Sequence, residues 1–296
     1  MTGSKENIME QYIRRYPQLG LKVEEGMSES AEYKDIVRKG KTPLEINNYF
    51  LGDEEDAIFL IDTPCGQAEV IYLANRDDFE RAVRCLAYKC ENKKIPKSMG
   101  ALTISGISNW GKIKEHKKEY LMAGNTDWQA EFKRFIKMPE NYKDRLVLLS
   151  KGGYSAITSE DAGFNIKQWE DYSLKIRMYH ELCHVICRNI FPEKRHAVID
   201  EIVADCFGIL NAIGKYDTDL AKKFLGIENG SYRRVGRLEN YIDIELITAD
   251  YLNNVREVIQ LIEVYLYEVE SEEYWGKLIS LEKNIFDSLV NVLDAH

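Results

Sequence analysis

The chain has 296 residues, 45% of them hydrophobic and 30% charged, with a formal net charge of −9 and a pI near 5.3. That length allows two modest domains or one domain with a large extension, and the acidic balance argues against a nucleic-acid partner. The N-terminal segment MTGSKENIMEQYIRRYPQ carries no apolar stretch, and no run of about 18 apolar residues occurs, so neither export nor a membrane is expected and the protein reads as cytoplasmic.

The elements follow in chain order. A short helix is expected near Glu6 to Tyr16. AIFLID (57–62) and AEVIYL (68–73) read as strands, and the Thr-Pro-Cys-Gly connection between them is hairpin chemistry. RDDFERAVRCLAY (76–88) is helical, with Phe79, Ala82, Val83 and Leu86 on one face. The Gly- and Ser-rich stretch 95–111 reads as irregular, with at most one short strand. Helices are expected over 110–120 and 127–136, and the basic KIKEHKK (112–118) is read as a solvated face. RLVLLS (145–150) is a buried strand that ends in the Gly152-Gly153 turn.

From about Ile166 onward the pattern is helical. One helix is expected to run to about Ile190, before Pro192, and a second from about Ala197 to Ile213, stopped by Gly214. Leu220 to Leu225 forms a short helix ended by Gly226. Two more helices are expected near Ile242 to Glu268 and Glu272 to Asp294. The fold class is therefore α+β. Residues 1–150 form a mixed part with a sheet, and residues 151–296 form a helical part. Cys65, Cys85, Cys90, Cys183, Cys187 and Cys206 include no C-x-x-C pair and read as buried thiols.

Chemistry concentrates at residues 180–184, HELCH. On a helix His180 and His184 lie one turn apart on one face, the separation two imidazoles need to share a zinc ion. Glu181 projects to the side, placed to reach a metal-bound water without ligating the metal. This is the H-E-x-x-H pattern. On the next helix DEIVAD (200–205) puts Glu201 and Asp205 one turn apart. Ala204, Gly208 and Ala212 share or border their face, and small residues there permit close packing against the HELCH helix. Asp200 lies about 100° around the helix from Glu201, so it does not share that face. Cys183, Cys187, His116, His196 and Trp110 are read as core or surface residues rather than as part of a site.

HELCH followed by DEIVAD resembles the gluzincin class of zincin metallopeptidases, the thermolysin-like arrangement, over about residues 145–213. The resemblance implies a zincin-like fold with His180, His184 and Glu201 as ligands of a Zn2+ cofactor. It implies Glu181 as general base and Asp205 as the carboxylate that orients a histidine. It also implies that strand 145–150 is the cleft edge that pairs with substrate. A donor for the oxyanion is sought among Tyr232, Arg234, Arg237 and Tyr241. Arg237 and Tyr241 are favoured because their i,i+4 spacing puts them on one helical face. The expected activity is zinc-dependent cleavage of amide bonds in a peptide or protein substrate. The alternatives are a regulatory zincin-like protein acting on one dedicated protein partner, and a zinc-binding protein without catalysis.

Overall fold

The computed structural model describes residues 8–41, 47–228, 231–233, 236–269 and 273–295. The chain is mixed α+β. It divides into two compact units, Met1–Leu60 with Ala68–Lys151, and Ile61–Gln67 with Gly152–His296.

The first unit starts with α1 (Met9–Arg15) and the one-turn α2 (Ala31–Tyr33). Strands β1 (Ala57–Thr63) and β2 (Gly66–Leu73) follow, joined through Pro64 and Cys65, with Gly66 at φ +96°. Helix α3 (Arg76–Ala87) is started by Asn75, whose side chain accepts from the Asp77 and Asp78 amides. Then come β3 (Ala101–Ser108), α4 (Trp110–Met122), α5 (Trp128–Phe135) and β4 (Lys143–Ser150). The sheet order is β1-β2-β4-β3. β4 runs parallel to β2, pairing Val70 with Val147, and antiparallel to β3.

Three expectations change here. β4 is an interior strand, hydrogen-bonded on both sides, so it is not a free cleft edge. Its consecutive buried residues Leu146, Val147, Leu148 and Leu149 are what a strand covered on both faces requires. The supposedly irregular 95–111 contains the eight-residue β3, whose bulge between Ser105 and Ile107 is absorbed by Gly106 at φ +77°. Five cysteines are buried, but Cys65 is exposed in the hairpin turn.

The second unit contains α6 (Ser159–Ala162), α7 (Ile166–Ile190), α8 (Ala197–Ile213), α9 (Thr218–Leu225), the small β5 (Ile227–Glu228) and β6 (Ser231–Tyr232), then α10 (Ala249–Glu268), α11 (Tyr274–Asn284) and α12 (Phe286–Leu293). α10 starts later than its apolar pattern suggested, because Thr248 caps it and Ile244–Leu246 form a 3-10 turn. The last expected helix is two, broken at Ile285. α8 is buried nearly all round. Its Ile199, Ile202, Val203 and Phe207 belong to one core with Val255 and Ile259 of α10 and Leu278 and Leu281 of α11. No helix among the described residues is long and apolar enough to cross a membrane.

The residues set aside in the sequence have structural work. The Trp110 indole donates to the Val37 carbonyl at 2.9 Å. His116 stacks on Phe135 and lies 2.7 Å from Glu131 Oε1. His196 caps α8 by accepting from the Ile199 amide.

Candidate metal centre

Two helices build the centre. α7 is capped by Asn165, whose side chain accepts from the Gln168 amide, contains neither Gly nor Pro, and ends at Phe191 before Pro192. α8 ends at Gly214, which takes φ +86°, a left-handed conformation in which L side chains are rare. The helices meet where Gly208 faces the Ile176 carbonyl: a Cβ on residue 208 would lie 2.7 Å from that oxygen. Only glycine permits this approach, and it brings the carboxylates of α8 to the histidines of α7.

His180 Nε2 and His184 Nε2 lie 3.1 Å apart. Glu201 Oε1 is 3.1 Å from His184 Nε2, and Glu201 Oε2 is 3.4 Å from His180 Nε2. Among the described residues these three form a metal-capable group whose ligand atoms all lie within 4.8 Å of one another. Ligands about 2.0–2.2 Å from a tetrahedral zinc stand about 3.3–3.6 Å from each other, so the donor set fits such an ion with small adjustment. Charge fits as well. Burial pushes the Glu201 carboxyl up, but hydrogen bonds and charge from His180 and His184 outweigh it and hold it far below the usual carboxylate range. Burial pushes His180 down, yet Asp205 and Glu201 bring it up to about 9.

A surrounding layer fixes the centre. His180 Nδ1 is 2.9 Å from Asp205 Oδ1, so the Nδ1 proton is held by a carboxylate and Nε2 is left facing His184. Tyr154 donates to the same Asp205 oxygen at 2.6 Å. Arg237 Nη1 donates to Tyr154 Oη at 2.7 Å and to both Asp205 oxygens at 2.9 and 3.1 Å. Its Nη2 donates to Glu201 Oε2 at 2.6 Å, and Tyr241 donates to that same oxygen at 2.7 Å. Burial pushes Asp205 up, while Arg237 and then His180 and Tyr154 bring it below its ordinary value.

Glu201 and Asp205 thus sit together at the centre, and Asp200 does not. It turns back to the start of α8, 3.4 Å from the His196 amide and 3.6 Å from Arg195. Glu181 is half-buried on α7 beside His180. Cys183 and Cys187 are buried with their sulfurs 3.9 Å apart and are not in the cluster. Arg237 and Tyr241, expected as oxyanion donors from a helix face, lie on a 3-10 turn and at its end. The single Tyr241 proton is given to Glu201, and Arg237 spans two carboxylates. Tyr232 Oη lies 2.8 Å from the Gly236 carbonyl and 3.0 Å from Glu239 Oε1, bracing that turn. Arg234 lies outside the described residues.

Sequence reasoning missed Tyr154. It stands on a 3-10 turn just after Gly153. Ser155 and Ala156 adopt φ +53° and +55°, a conformation non-glycine residues rarely take. That turn is pinned by three bonds: the Tyr154 amide to Ser173 Oγ at 3.0 Å, Ser155 Oγ to the Phe224 carbonyl at 2.8 Å, and the Trp169 indole to the Ile157 carbonyl at 2.8 Å. A Cβ at Gly153 would stand 2.6 Å from the Ile157 carbonyl, which is the one signal the sequence carried for this turn.

No solved structure and no curated protein matches this chain. A model described as a family of unknown function, DUF7005, matches residues 2–286, and the chain belongs to that family.

Proposed function

We propose that this protein is a zinc-dependent hydrolase of zincin-like construction that cleaves amide bonds in a peptide or protein. The observation that carries this reading is the convergence of His180 Nε2, His184 Nε2 and a Glu201 oxygen, with a glutamate directly after the first histidine. His180, His184 and Glu201 would hold the ion. A zinc ion held by them would supply Lewis acidity, making a water more acidic and a substrate carbonyl more electrophilic.

The chain's own residues do the rest. Glu181, one position from His180, takes a proton from the attacking water and returns it to the leaving amine. Asp205 keeps the Nδ1 proton of His180, which leaves the Nε2 lone pair for the ion. Tyr154 and Arg237 hold Asp205 in that role.

Glu181→Gln tests the reading. The variant should keep its metal and lose about 10²- to 10⁴-fold in hydrolysis of a peptide library scored by mass spectrometry. Equal turnover by both proteins rules out Glu181 as the base. Metal binding without turnover in the unaltered protein leaves the non-catalytic zinc-binding reading in its place.

A further inference from the structure

We propose that Arg237 is a positioning residue of this centre, and that together with Tyr241 it restricts Glu201 to offering one oxygen, Oε1, to a bound ion. The inference rests on the metal reading above and concerns how the glutamate serves it.

The argument starts from the carboxylate. An ionised carboxylate has about two acceptor sites on each oxygen. At Glu201 Oε2 two strong donors are present, Arg237 Nη2 at 2.6 Å and Tyr241 Oη at 2.7 Å. Both oxygens border the imidazoles: Oε1 lies 3.1 Å from His184 Nε2, while Oε2, the oxygen that takes the two donors, lies 3.4 Å from His180 Nε2. A glutamate with both oxygens uncommitted can swing to bind through one or both. Here one of them is held.

Arg237 does more than occupy an oxygen. Its other terminal nitrogen, Nη1, holds Asp205, and Asp205 holds His180 Nδ1. The guanidinium is planar and its two nitrogens keep a fixed separation. One rigid group therefore sets the spacing between a ligand carboxylate and the carboxylate that orients a ligand histidine. Lysine would keep the charge but lose this fork. Arg237 is itself largely buried, with 17% of its side chain exposed, so water substitutes poorly for either contact.

The test uses the full-length protein stripped of metal and titrated with zinc, then with cobalt, against a chromophoric chelator. The variants are Arg237→Lys and Tyr241→Phe. Arg237→Lys should weaken zinc binding about 10- to 100-fold. The visible spectrum of its cobalt form should lose intensity, as a freed second oxygen raises the coordination number. Tyr241→Phe should move both readouts the same way by less. Circular dichroism and melting of the metal-free proteins separate this from a fold defect. If Arg237→Lys does not fold, Tyr241→Phe decides alone. Folded variants with unaltered zinc affinity and an unaltered cobalt spectrum overturn the proposal and leave the metal reading standing. An unaltered protein that binds neither zinc nor cobalt overturns both.

Discussion

Two buried carboxylates in the helical unit experience opposite fates. Asp205 on α8 and Glu282 on α11 are each 1% exposed. Burial pushes both up. Asp205 is brought below its ordinary value by Arg237, His180 and Tyr154. At Glu282 burial dominates, despite a hydrogen bond from Cys187 and the charge of Arg195, and the carboxyl rises from its ordinary 4.5 to about 7. Its Oε2 has no hydrogen-bond partner among the described residues. Equal burial with unequal partners shows where the fold has organised charge and where it merely tolerates a carboxyl. The organised region is the one around the two histidines.

The comparison breaks most visibly at Asp205. Asp205→Ala leaves Arg237 and His180 without their shared buried partner. Removing one side of a buried ion pair typically costs about 3–5 kcal/mol, and urea denaturation of the variant should show a loss of that size. A loss within the range of an ordinary surface substitution would mean that the network around Asp205 is not compensated as described.

Glu282 sharpens it from the other side. Its pKa is raised in the fold, so its contribution is fully present below about 4.5 and is lost as pH rises through about 7. The stability given up across that window is at most about 3 kcal/mol. Glu282→Gln should remove this slope: the difference in melting between variant and unaltered protein should shift in the variant's favour from pH 5 to pH 8. A difference that stays constant with pH would place Glu282 among ordinary carboxylates.

Much of the centre was legible because its signals are local. His180 and His184, like Glu201 and Asp205, are one turn apart on helices whose ends are marked by Pro192 and Gly214, and one-turn spacing survives in any tertiary context. The remainder depends on contacts far apart in sequence. Tyr154 reaches His180 and Asp205 from a turn whose left-handed residues are Ser155 and Ala156 rather than glycine, so Gly153 is the one local trace of the turn and its partners leave none. The i,i+4 spacing of Arg237 and Tyr241 did place them together, but on a 3-10 turn aimed at Glu201. In the first unit the apolar run of β4 favoured an interior strand. The resemblance to zincins pulled the reading toward an edge, and the sheet order shows that the pattern was the better guide. The helical spacing across Ile285 hid a break at that residue, whose backbone leaves the helical region at φ −123°.

The central claim is that His180, His184 and Glu201 hold a metal ion, and direct metal analysis tests it. Unaltered protein, His184→Ala and Glu201→Gln are to be loaded with zinc, dialysed against metal-free buffer and measured by atomic emission. The account predicts about one zinc per chain in the unaltered protein and little in either variant, since three protein ligands are needed for a stable site. Equal zinc in all three proteins, or none in the unaltered one, would contradict it.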